Sequence, residues 1–261
     1  YSEPVRGGAT TALGRGTLKG GRLEGFARLF SAREPNDNVI HYGTRIVFDG
    51  PHLFLTVGDR NDRHKAQDLG AHNGKILRLT HDGKAAPGNP FETAPGALPE
   101  IWTYGHRNPQ GLALRPGTKE LWSCEFGPRG GDELNLIKPG ANYGWPVVTF
   151  GREYWGPKIG EGTRKAGMEQ PVAYWTPVIS PSGMAFYDGD AFPSWKGSLF
   201  IGNLSSTHLL RVTLRGASVV AQEKLLSDRN WRFRQVRQGP DGYVYFSTDE
   251  GRLARLTPAK D

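Results

Sequence analysis

The run Leu53-Phe-Leu-Thr-Val-Gly-Asp59 decides how this chain is read, because it returns in kind three more times. Its counterparts are Leu121-Trp-Ser-Cys-Glu-Phe-Gly127, Leu199-Phe-Ile-Gly-Asn-Leu-Ser205 and Val244-Tyr-Phe-Ser-Thr-Asp-Glu250. Each follows a turn: Asp49-Gly50, Pro116-Gly117, Trp195-Lys-Gly197 and Pro240-Asp-Gly242. Each precedes a second short run: Lys75 to Leu79, Glu133 to Ile137, His208 to Val212 and Arg252 to Leu256. Upstream strands are expected at Arg45 to Phe48, Gly111 to Leu114, Gly183 to Tyr187 and Arg234 to Arg237. Short β-type runs between Gly, Pro, Asn and Asp punctuation predict strands, and no long window carries a helical stripe. A strand–turn–strand–loop–strand unit repeated four times reads as a β-propeller built of small antiparallel sheets. A β-sandwich with chance likeness between strands is the competing reading. Residues 21–31 add further strand material outside the four units.

Composition narrows the class. Gly 36 and Pro 19 make up about a fifth of the 261 residues, without the Gly-X-Y period of collagen. Seven Trp, nine Tyr and twelve Phe exclude a disordered chain. No apolar stretch is long enough to span a membrane as a helix. The net charge of +7 is compatible with nucleic acid, a membrane surface or a small anionic ligand, but it comes from scattered basic residues rather than a run, which argues against nucleic acid. The single cysteine, Cys124, rules out an internal disulfide and a Cys-cluster zinc site. No linker or low-complexity tract divides the chain, so one domain is expected over residues 1–261, with 151–170 as an exposed insertion. The chain begins at Tyr1 rather than Met, which leads to the expectation that N-terminal sequence is missing and makes the lack of a signal peptide uninformative.

Four places could carry chemistry. His41 precedes a strand, and Asp59 ends the next strand of the same hairpin; a carboxylate there would fix the tautomer of a histidine base, against the plainer reading of a surface His and a turn Asp. Arg107 and Asn108 sit in the turn Tyr104-Gly-His-Arg-Asn-Pro-Gln-Gly111, which presents polar donors on a β scaffold. The Gly- and Pro-rich stretch from Cys124 to Asn135 carries Asp132 and Glu133 beside free carbonyls, an oxygen-rich set that suits calcium or is simply an acidic turn. Alternation puts Arg232 and Arg234 on one strand face, where two guanidinium groups call for an anion or for solvent between them.

Seven segments in order carry a family resemblance: His41-Tyr-Gly-Thr-Arg45, Val57-Gly-Asp59, Gly74-Lys-Ile-Leu-Arg78, Gly105-His-Arg-Asn-Pro-Gln-Gly111, Glu125-Phe-Gly-Pro-Arg-Gly-Gly-Asp-Glu133, Asn142-Tyr-Gly-Trp-Pro146 and Arg232-Phe-Arg234. Over nearly its whole length the chain resembles the soluble PQQ-dependent sugar dehydrogenases of the glucose/sorbosone dehydrogenase group, especially the bacterial aldose sugar dehydrogenases. The resemblance implies a six-bladed propeller of four-stranded antiparallel blades, with N-terminal blades missing here. It implies pyrroloquinoline quinone (PQQ) and calcium as cofactors, an aldose substrate oxidised at C1 to the lactone, an external electron acceptor and a periplasmic location. His41 falls on the family's catalytic base, Asp59 on the aspartate that orients it, and Arg107 on the arginine that polarises the quinone. Asn108, Arg232 and Arg234 match cofactor contacts, and Trp175 is assigned to the aromatic roof over the cofactor. The carbonyls of Gly127 and Pro128 match ligands of the cofactor's calcium; Glu133 and the carbonyl of Tyr143 match a second, structural calcium. Ser205 stands where the glucose-dehydrogenase branch has a lysine. The alternatives are a calcium-dependent propeller lactonase and a non-catalytic sugar-binding propeller.

Overall fold

The computed structural model describes residues 1–33 and 35–259. It is all-β, with five antiparallel sheets of propeller-blade type and only three short 3₁₀ turns among the described residues. The described residues form two compact units.

The first unit comprises Tyr1–Asn108, Pro139–Pro146 and Ala166–Glu169. Its first sheet is a meander of β1 (Ser2–Val5), β2 (Gly8–Lys19) and β3 (Arg22–Ser31). Its second sheet runs β4 (Ile46–Asp49), β5 (His52–Val57), β6 (Lys75–Thr80) and β7 (Ile101–Tyr104) in chain order. Leu13 and Phe30 from the first sheet pack with Leu53, Leu55, Leu77 and Leu79 from the second. Strand β5 is a continuous apolar run because both its faces are covered. The far half of the β2–β3 ribbon is exposed, Leu18 and Leu23 included.

The second unit comprises Pro109–Lys138, Val147–Lys165 and Gln170–Asp261. One sheet orders β8 (Pro109–Leu114), β9 (Leu121–Glu125), β10 (Asp132–Ile137) and β11 (Ala173–Trp175). The next orders β12 (Pro181–Phe186), β13 (Leu199–Asn203), β14 (Leu209–Arg215) and β15 (Ser218–Leu225). The last has β16 (Phe233–Gln238), β17 (Val244–Thr248) and β18 (Leu253–Arg255). Trp122, Cys124, Leu134, Met184 and Ile201 fill one core, and Phe200, Phe233, Val236 and Phe246 another. Residues 151–165 carry no strand and leave Tyr154 and Trp155 exposed, as an insertion should.

The four repeated units fall on the inner three strands of four sheets. Two features correct the sequence reading. The described residues form five blades, where six were expected. Two of the five sheets have three strands rather than four, and the stray strand material at 21–31 is β3 of the first of these.

Candidate active site

The His41 loop and the end of β5 build the first half of the site, wholly within the first unit. His41 has a left-handed backbone, with φ 56°, which a non-glycine residue adopts only when its surroundings hold it. Gly58 makes the close approach possible, since a Cβ there would lie 2.0 Å from the His41 carbonyl oxygen. Next along the chain, Asp59 brings Oδ1 to 2.6 Å from His41 Nδ1. An ionised carboxylate only accepts, so Nδ1 carries a proton here, and in the neutral ring that leaves the lone pair on Nε2.

The Asp59 carboxylate is buried and fully engaged. Besides His41, Oδ1 accepts from the Asn61 amide at 2.8 Å, and Oδ2 accepts from the Trp145 indole Nε1 at 2.8 Å. Three donors hold the charge, with at least one on each carboxylate oxygen. Trp145 is itself anchored: its amide donates to Gly105 O at 2.9 Å, and its carbonyl accepts from Gln67 Nε2 at 2.7 Å. Beneath this turn the buried Lys75 ammonium donates to the carbonyls of Asn73 at 2.7 Å and Lys65 at 2.8 Å. Burial pushes the Lys75 pKa down to about 7.

Arg107 is buried with its guanidinium carbon 5.4 Å from the Trp145 ring centroid, and its carbonyl accepts from the Asp59 amide at 2.8 Å. The Asn108 Oδ1 accepts from the Gly43 amide at 2.8 Å, tying the far end of the His41 loop. Tyr143 is buried and stacks on His106 with centroids 4.7 Å apart. Thus His41, Asp59, Arg107 and Asn108 form one cluster.

The second unit holds the other residues. Arg232 and Arg234 share one carboxylate, Asp249: Arg232 Nε reaches Oδ2 at 3.0 Å, while Arg234 Nε and Nη2 reach Oδ1 and Oδ2 at 2.8 and 3.0 Å. Both arginine side chains remain 40% or more exposed. Bonding from Arg234, then Arg232, holds the Asp249 carboxyl below its usual range. Pro128 borders an open cavity of about 670 Å³ whose wall includes Arg129, Arg152, Tyr154 and Thr176. Glu133 lies directly across the β9–β10 ladder from Glu125, and Asn135 Nδ2 donates to Glu133 Oε2 at 3.1 Å. Burial first, then Glu125 and Asp132, push the Glu133 pKa up to about 8. Asp132 is already committed: Oδ1 accepts from Gly127 N at 2.8 Å, and Oδ2 accepts from Ile179 N and Ser180 N at 2.7 Å each. The Trp175 indole donates to Gln222 Oε1 at 2.9 Å, and Ser205 Oγ accepts from Ser180 Oγ at 2.9 Å.

The donor set fits the groups implied by the resemblance. Two exposed guanidiniums suit the carboxylates of PQQ. Crowded acids at Glu125 and Glu133 suit a hard cation. No cluster of three or more His, Cys or acidic side chains among the described residues is arranged for a metal, so a calcium ion would have to draw on backbone carbonyls as well. Sequence reasoning missed three participants: Trp145, Asp249 and Arg60. The first two lie inside stretches already singled out, but their partners are distant in the chain.

Antiparallel propeller blades with a half-buried histidine paired to a buried carboxylate define an all-β protein with a candidate site at that pair. The Glucose / Sorbosone dehydrogenase family pattern matches residues 1–255, and the chain belongs to that family. It is 45% identical to the aldose sugar dehydrogenase YliI of Escherichia coli K12, over 99% of this chain and 72% of that protein. It superposes on a crystal structure of a glucose dehydrogenase with TM-score 0.97 and 47% identity, covering 99% of this chain and 77% of the other. A PQQ-bound aldose sugar dehydrogenase from Streptomyces coelicolor matches with TM-score 0.74 and 31% identity, over 98% of this chain and 73% of the other.

Proposed function

We propose that this chain oxidises aldose sugars at C1 to the lactone, with PQQ and calcium as cofactors and His41 as the general base. The observation that carries the reading is the 2.6 Å His41–Asp59 contact in a chain of this family. Asp59 holds Nδ1 protonated, so Nε2 is the atom that takes the C1 hydroxyl proton while the C1 hydrogen leaves as hydride. The buried carboxylate then stabilises the imidazolium that forms. Bound PQQ supplies the two-electron acceptor, and calcium acts on it as a Lewis acid. Arg232 and Arg234 would hold its carboxylates, with Arg107 and Asn108 as further cofactor contacts and Trp175 as an aromatic neighbour. Gly127, Pro128, Glu133 and Tyr143 are the proposed calcium ligands. The place of work is the periplasm, on the strength of the resemblance. The lactonase and binding-only readings gain nothing, since neither requires the His41–Asp59 pair.

Reconstitution tests this. With PQQ, calcium, glucose and a redox dye, calcium-dependent bleaching is expected; failure to bind PQQ would overturn the reading. His41→Ala should keep cofactor binding and lose sugar oxidation, and retained turnover would remove His41 from the role of base.

A further inference from the structure

Arg60 directly follows Asp59, yet its side chain is buried, at 2% residue exposure. A buried guanidinium needs several oxygen partners, and this one takes them almost entirely from the loop that carries His41. Nε donates to the carbonyl of Ile40 at 3.1 Å. Nη2 donates to Asn36 Oδ1 at 3.2 Å and also to the carbonyl of Asn38. Nη1 reaches the carbonyl of Ala9, at the start of β2, at 3.2 Å. The guanidinium carbon lies 3.4 Å from the centroid of the Tyr42 ring. The residue before His41 and the residue after it are therefore both held by one planar cation. In return, Asn36 Nδ2 donates to the carbonyl of Arg60 at 3.0 Å.

The loop is otherwise held near its ends, where Asn36 exchanges two backbone bonds with Ala9 and the Gly43 amide donates to Asn108 Oδ1. Val39 and Ile40 are exposed apolar residues, and His41 keeps its left-handed backbone outside any strand. Three successive residues thus act on it: Gly58 makes room for its carbonyl, Asp59 binds its imidazole and Arg60 clamps its backbone.

We propose that Arg60 is a positioning residue that holds the 36–42 loop so that the His41 ring meets Asp59. The proposal rests on the reading of His41 as the base, but its structural part is testable without turnover. Lysine cannot replace the fork, because a single ammonium cannot reach Ile40, Asn36 and Ala9 together and does not stack as a plane.

The test compares Arg60→Lys and Arg60→Gln with the parent chain, first without cofactor. Hydrogen exchange of amides 36–43 is expected to quicken by about tenfold or more, while amides of β5 and β6 keep their protection. The downfield proton resonance of the His41 Nδ1–H bond should broaden or vanish. With PQQ and calcium bound, kcat should fall by about 10²-fold with little change in PQQ affinity, the size expected for a misplaced catalytic group. An unchanged loop and resonance would overturn the proposal. Equal loss of protection in β5 and β6 would also overturn it, by showing a role in general stability alone. His41→Ala serves as the control: retained turnover there would sink the base assignment, while the exchange result on Arg60 would still stand.

Discussion

Two charged constellations in this chain solve opposite problems. In the first unit, Asp59 is buried and every edge of its carboxylate is bound by His41, Asn61 and Trp145. In the second, Arg232 and Arg234 share Asp249 in a setting open to solvent. The first arrangement binds both carboxylate oxygens to internal donors and so fixes a geometry. The second shares one carboxylate between two guanidinium groups that stay 40% or more exposed. A group that must orient a proton acceptor is best saturated, and a group that must receive a charged ligand is best left partly exposed.

The contrast breaks most sharply at Asp59. Asp59→Asn removes the charge and turns one carboxylate edge into a donor, so either the Trp145 indole or the His41 and Asn61 donors lose their acceptor. Turnover of the reconstituted protein should fall by about 10³–10⁴-fold while PQQ affinity is nearly kept; steady-state kinetics beside a cofactor titration checks this. The opposite pattern is expected for Arg232→Ala combined with Arg234→Ala. There PQQ affinity should drop by about ten- to a hundredfold, and the residual binding should lose much of its salt dependence, as a titration at two ionic strengths would show.

Smaller changes sharpen the comparison. Trp145→Phe keeps the ring but deletes the donor to Asp59 Oδ2, so a buried charge loses one of three partners. About tenfold lower turnover is expected, together with a lower unfolding midpoint, measured by denaturant titration. The smallest effect concerns Lys75. Its folded pKa of about 7 lies below the ordinary 10.5, so the unfolded chain binds more protons between those values. Stability should therefore rise with pH from about 7 to 10.5, and Lys75→Met should flatten that slope in unfolding curves taken across the range.

Much of the fold was legible because propeller blades repeat one local pattern. The inner strands β5, β9, β13 and β17 are apolar runs bounded by turn residues, and each was placed to within two residues. The outer strand β15 was not, because Ser-Val-Val-Ala-Gln-Glu-Lys-Leu is largely exposed and owes its extended form to pairing with β14. The short β7 and β11 escaped for a similar reason: three or four residues carry no readable alternation. The blade count of six came from the resemblance, and the five sheets correct it.

The site divides along the same line. His41 with Asp59, and Arg232 with Arg234, were readable as pairs because hairpin geometry or strand alternation brings each pair together over a short span. Charge alone called for an anion or solvent between the arginines, whereas the fold places the Asp249 carboxylate, just past β17, against both of them. Asp132 was read within a stretch that suits calcium or is simply an acidic turn, and the fold gives its oxygens to the amides of Gly127, Ile179 and Ser180. Sequence by itself determined the class of fold, the family and the residue types at the acid–base pair, since these follow from local periodicity and short spans. Only the tertiary structure decided which groups saturate those residues. Trp145 lies 86 positions from Asp59, and the Arg60 fork closes on a loop about 20 positions away. Such partners are chosen by long-range packing, which leaves no period in the chain.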